Sequence, residues 1–242
     1  MHSWQNILQK VVQAPDPVNG NNIGHAVFAK LPGNKLADIE LYDDVSDLTD
    51  PIKLRLLLTH KAAERNTSKH CVVIGMNPST ASAFQGEKAD NTARQVYNWF
   101  AGASALEGYE RLTMVNLLPI IETDSLEVSN LLDQTTDNYR EVFHRTLDAL
   151  LRTEKYDLEH TLLICAWGSS SNKRWVRDGQ AWFYDYLNAN KEIPRENIQR
   201  LRSKSLGSPT DYPPHPRGSV GLQNGNELIG MPLENPDRKS QR

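Results

Sequence analysis

Three near-continuous apolar runs constrain this chain most: "CVVIG" from Cys71, "RLTMVNLLPI" from Arg111 and "TLLICAWG" from Thr161. A strand without polar alternation is buried on both faces, the usual state of a parallel sheet covered by helices. Helical patterns separate the runs. "NTARQVYNWFAGA" follows the first, and "DNYREVFHRTLDALLRTE" places Tyr139, Val142, Phe143, Leu147, Leu150 and Leu151 on one face. "GQAWFYDYLNAN" supplies a third helix, and "NIQRLRS" a fourth strand. This alternation predicts a three-layer α/β/α domain around a four-stranded, mainly parallel sheet.

The flanks are less regular. Residues 1–66 read as an irregular N-terminal extension packed on the core, residues 67–220 as the α/β domain, and residues 221–242 as a C-terminal tail whose end, "NPDRKSQR", is expected to be disordered. Within the extension, a helical turn precedes a loop containing Pro15, Pro17 and Gly20, and two short apolar stretches flank Pro32-Gly33-Asn34 as in a hairpin. "PIKLRLLLTHKAAER" is ambiguous, since Pro51 suits a helix start while Leu54 to Leu58 suits a strand.

A chain of 242 residues with 38% apolar and 24% charged residues is long enough for one sizeable core. Two cysteines, Cys71 and Cys165, are too few for a disulfide framework or a thiolate cluster. With no membrane-length apolar run and no signal-peptide character, the expectation is a cytoplasmic monomer that does not engage membranes. Net charge is −3, yet Lys173 to Arg217 holds nine Lys/Arg against five Asp/Glu. Such a segment can serve phosphates, with Lys173, Arg174 and Arg217 as the candidates, or be a solvated helical face.

In parallel sheets ligands bind beyond the carboxyl ends of the strands. There the chain places Asn77-Pro78-Ser79-Thr80, then Asn116, then Gly168, and His215 beyond the fourth strand. The Asn77 amide can hold a water but is a poor general base, and Ser79 and Thr80 can serve a phosphate. An Asx-type turn explains the same residues. Asn116 suits a nucleobase edge, or a backbone partner at the strand end. His215, between two prolines, can stabilise developing negative charge. Asp90 is either the cap of a helix or the carboxylate the rim lacks. The remaining histidines show no metal-ligand spacing, and no Gly-rich phosphate loop, GxSxG or HExxH occurs. Neither metal nor cofactor is expected.

Taken in order, "IGMNPS", "TMVNLLPI", "LLICAWGSSSNK" and "PPHPRG" resemble the serial motifs of the uracil-DNA glycosylase superfamily. The stretch "MNPSTASAF…DNTARQ…VNLLPI…AWG…HP" is more similar still to a bacterial domain-of-unknown-function family with an "LNPSTA…DDPTIRR" signature. The resemblance implies that Asn77 positions water, Asn116 reads the base, and His215 touches sugar and base, with Trp167-Gly168 as a structural strand end. No motif names the aromatic that stacks on the base; Phe84 is the first candidate and Tyr212 the second. The loop after His215 reads Pro216-Arg217-Gly218, where the superfamily has a Ser and an intercalating apolar side chain.

The implied activity is hydrolysis of the N-glycosidic bond of a modified or non-canonical base flipped out of DNA. Asn77 stands where the uracil-specific branch has an acid, which turns the expectation away from plain uracil repair and toward modified cytosines of phage genomes. Two alternatives use the same rim: an N-glycosidase acting on free nucleosides or nucleotides, and a non-catalytic base-binding module.

Overall fold

The computed structural model describes residues 4–17, 20–48, 52–122, 125–168, 174–201 and 228–230. Its elements in chain order are α1 (Trp4–Gln13), β1 (His25–Lys30), β2 (Glu40–Tyr42), β3 (Leu54–Lys61), β4 (His70–Gly75), α2 (Asn91–Gly102), β5 (Arg111–Asn116), α3 (Ser125–Leu151), β6 (Thr161–Cys165), α4 (Arg174–Ala189), β7 (Ile198–Leu201) and β8 (Leu228–Gly230).

The α/β class holds, but the sheet is larger than the sequence suggested. Among the described residues it has eight strands in the order β2-β1-β3-β5-β4-β6-β7-β8, not four. The four expected strands are its central block, β5-β4-β6-β7, and they pair in parallel. Antiparallel strands extend it on both sides, which makes the whole sheet mixed. The N-terminal segment is not irregular: it supplies α1 and β1 to β3. The expected hairpin forms as β1 and β2, with Phe28 opposite Tyr42. The ambiguous "LRLLL" is strand, fully buried because β1 and β5 flank it in the sheet and α3 packs against it. Burial on both faces erases the period-two signal that would have revealed it.

Crossovers account for the layering. From β4 the chain moves one way through α2 to β5, then back past β4 through α3 to β6, and onward through α4 to β7. Right-handed connections put α2 on one face and α3 and α4 on the other. The cores agree: Val72 and Ile74 pack with Val142, Phe143 and Phe183, while Cys71 and Val73 pack with Val96 and Phe100. Both cysteines are free and buried, and burial pushes both thiols up. Among the described residues, no helix is long and apolar enough to cross a membrane.

The amino ends of the parallel strands carry a buried polar network. His70 Nε2 lies 2.8 Å from Thr113 Oγ1, which meets Thr59 Oγ1 at 2.9 Å. Burial, and secondarily the charge of Arg111, pulls the His70 imidazole from 6.5 down to about 3, so it is neutral in the fold. An unfolded His70 gains its proton near 6.5 while the folded one resists. The stability it contributes is therefore complete above that pH and is lost as pH falls from 6.5 toward about 3. The loss runs at about 1.4 kcal/mol per pH unit. Denaturant titrations through the mildly acidic range should show this slope, and His70→Gln should remove its share of it.

Candidate functional site

The strand order reverses at β4, with β5 on one side and β6 on the other. At such a switch point the loops leaving the carboxyl ends diverge and open a crevice. Here the crevice is a cavity of about 160 Å³ lined by Arg55, Met76, Asn77, Pro78, Ser79, Asp90, Thr92, Ala93, Met114 and Asn116. Of the residues expected at the rim, Asn77, Ser79, Asp90 and Asn116 converge on it.

β4 and β5 set its floor. Their ladder ends with Gly75 opposite Asn116, and a Cβ on Gly75 would lie 2.7 Å from Asn116 Nδ2 and 3.1 Å from Met114 Cε. Only glycine leaves room for the amide. Gly75→Ala should therefore displace Asn116 and cost about 1–3 kcal/mol. A thermal melt combined with a ligand titration checks this: the variant should melt early and lose binding together.

Asn116 is 3% exposed. Its Oδ1 accepts from Arg55 Nη2 at 3.0 Å, while its Nδ2 is buried with no partner among the described residues. A buried donor left unpaired costs about 1–3 kcal/mol, so such an atom marks a place for a ligand or water.

Arg55 is the residue that the sequence reading missed. It lies on β3, outside the parallel block, and is 2% exposed. Its Nη1 donates to the Ala81 carbonyl at 3.1 Å, and its Nε has no partner among the described residues. Burial lowers the guanidinium to about 10, against the opposing field of Asp90, and it stays charged at neutral pH. The signal was present: one arginine inside "LRLLL" is a charge in a buried strand, and buried charges need a reason.

The loop after β4 forms the wall. Asn77 Nδ2 donates to the Glu122 carbonyl at 2.9 Å, which fixes the amide plane and leaves Oδ1 free of that contact. The Ser79 hydroxyl donates to Asp90 Oδ2 and accepts from Ala81 N at 3.2 Å. Asp90 Oδ1 accepts from Ala93 N at 2.7 Å, so Asp90 does cap α2. It lines the cavity as well, and the two roles use different oxygens. Thr80 faces a neighbouring cavity of about 260 Å³, bordered also by Asp44, Lys88 and Asp90.

Other candidates lie elsewhere. Phe84 is fully buried in the core on the α2 side and does not line the cavity. Its ring packs 6.4 Å from Tyr97, and its N–H donates to the Ile23 carbonyl at 2.7 Å. Arg174 opens α4, 72% exposed, and pairs with Asp133 at 3.4 Å and Asp178 at 3.7 Å. Trp167 is buried edge-on to Phe183, and Gly168 follows at φ 87°, a left-handed position suited to glycine. Lys173, Tyr212, His215 and Arg217 lie outside the described residues. Among the described residues, no group of three or more His, Cys, Asp or Glu side chains is placed to hold a metal ion.

No curated protein and no solved structure matches the chain. A family model described as "Protein of unknown function (DUF1643)" matches residues 55–216, a span that opens at Arg55 and contains every strand of the parallel block. Since the match covers more than half of its length, the chain belongs to the DUF1643 family.

Proposed function

We propose that the cavity is a base-binding site and that the protein is a DNA glycosylase acting on a modified or non-canonical base. The observation that carries the reading is the unpartnered, buried Asn116 Nδ2 at the carboxyl end of β5. It is a donor held out of water on a residue that lines the cavity, and a base would satisfy it. A volume of about 160 Å³ suits one heterocycle. Pockets for drug-sized ligands run to about 300–1,000 Å³, so the sugar and phosphates stay outside. A flipped nucleotide meets that requirement, because only its base enters. The resemblance of "GMNPS", "VNLLPI", "AWG" and "HP" to the uracil-DNA glycosylase motifs supports the same reading.

The chemistry follows from the wall and floor. The C1′–N bond breaks with its electron pair moving to the base, and a water oxygen bonds to C1′. Asn77 Oδ1 orients that water while Asp90 Oδ2 accepts its proton; Ser79, now donating to Asp90, would hand over that position. Donors aimed at developing charge are worth about 3 kcal/mol each, roughly a hundredfold in rate. Phage DNA with modified cytosines is the first substrate class to try.

Incubation with DNAs carrying different modified bases, followed by alkaline cleavage at abasic sites, tests the proposal. Strand breaks with one of them are expected. No product from any substrate, single- or double-stranded, rejects the enzyme reading. Salt separates DNA from free nucleosides as substrate, because affinity for DNA falls steeply as salt rises.

A further inference from the structure

We infer that Arg55 is a positioning residue that decides which atoms of Asn116 meet the ligand. The Asn116 amide then turns its N–H donors to the ligand, beside a fixed positive charge. The inference rests on the reading of the cavity as a base site and narrows what that site accepts.

A carboxamide has two nearly identical ends, and its neighbours decide which way it points. A guanidinium has five N–H donors and no acceptor. The group 3.0 Å from Arg55 Nη2 must therefore be the Asn116 oxygen. Arg55 is itself held by its bond to the Ala81 carbonyl at 3.1 Å and by burial in β3. With Oδ1 committed to Arg55, the unpartnered Nδ2 is what remains for a ligand. A free asparagine offers a donor and an acceptor and pairs with adenine through both. Here the oxygen is held on Arg55 and the donor is the half left without a partner. At this amide the base is then gripped through a carbonyl oxygen that projects from its ring and not through an exocyclic amino group, which also screens the ring nitrogens beside it. The same cation stands ready for the negative charge that a departing base acquires.

Two three-fold symmetric rings test this without ambiguity of orientation. Cyanuric acid carries a carbonyl at every exocyclic position and melamine an amino group, and in mildly acidic buffer both are mainly neutral. Their affinities are measured by titration, with the Asn116 side-chain NH₂ resonance followed by NMR. The protein should bind cyanuric acid about tenfold more tightly or better, with that resonance moving. Arg55→Met, which frees the amide to turn, should bring the ratio near one. Asn116→Asp keeps an oxygen on Arg55 and turns the other toward the ligand, so it should reverse the order. The inference is overturned by a preference for melamine, by equal binding, or by binding of neither ring. An unchanged ratio in a folded Arg55→Met protein also overturns it. If that variant does not fold by circular dichroism, Asn116→Asp decides, and an unreversed order is fatal. Neither ring has a glycosidic bond to break. An active glycosylase can therefore fail this test and an inactive protein can pass it.

Discussion

Phe84→Ala should lower stability by about 3–5 kcal/mol, the range for removing a buried phenyl ring from a packed core. The ring is fully buried and stands among Ala26, Phe28, Leu58 and Trp99, where a truncated side chain leaves a void. It also anchors the segment that runs from Pro78 to Asp90. The ring packs on Gly24, where a Cβ would approach it to 3.0 Å, beside the main-chain bond to the Ile23 carbonyl that alanine keeps. Losing the ring loosens the wall of the cavity along with the core. A stacking role at the ligand predicts the opposite pattern, an unchanged melt with weaker binding. Denaturant unfolding and a ligand titration on the same variant tell the two apart, and an unshifted midpoint would remove Phe84 from the core account.

The second large effect concerns Asn77 and Asp90, whose structural and chemical duties can be separated. Asn77→Ala removes one hydrogen bond, to the Glu122 carbonyl, worth about 1 kcal/mol of stability. Under the proposed mechanism, in which Asn77 orients the attacking water, the substitution should cost about a hundredfold in turnover while leaving affinity for substrate DNA nearly intact. Asp90→Asn is the sharper companion. Asparagine caps a helix about as well as aspartate, so the bond to Ala93 N should survive, and the melt should fall only by what the Asp90 charge lends the buried Arg55. The carboxylate does not survive, and loss of a general base costs about 10²–10⁴ in rate. Single-turnover rates beside thermal melts give the answer. If both variants turn over at the parent rate and merely melt earlier, the two side chains are architecture and the hydrolytic mechanism falls.

The candidate site was legible in part, and the division has a physical basis. Asn77, Ser79, Asp90 and Asn116 could be named in advance because each sits at a strand end or a helix start. There the sequence carries both the apolar run and the polar residue that stops it. Asp90 posed a choice between cap and acid that spacing cannot resolve. In the structure its two oxygens have different partners, Ala93 N and Ser79 Oγ. Phe84 was the first candidate for the base-stacking aromatic, with no motif to name it. Its burial depends on Gly24 and Tyr97, residues brought to it by other parts of the chain.

By itself the sequence determined the parallel block of β4 to β7, its covering helices and the rim where polar residues gather. Those follow from local periodicity and from where apolar runs end, which a linear chain records directly. Tertiary structure alone decided that β1 to β3 join the same sheet and that β3 lies beside β5. Strand neighbours are chosen by backbone hydrogen bonds between distant segments, and a strand buried on both faces carries no alternation to announce its place. That choice sets Arg55 against Asn116, 61 residues away in the chain, and so turns a strand-end amide into a fixed donor at the floor of a cavity.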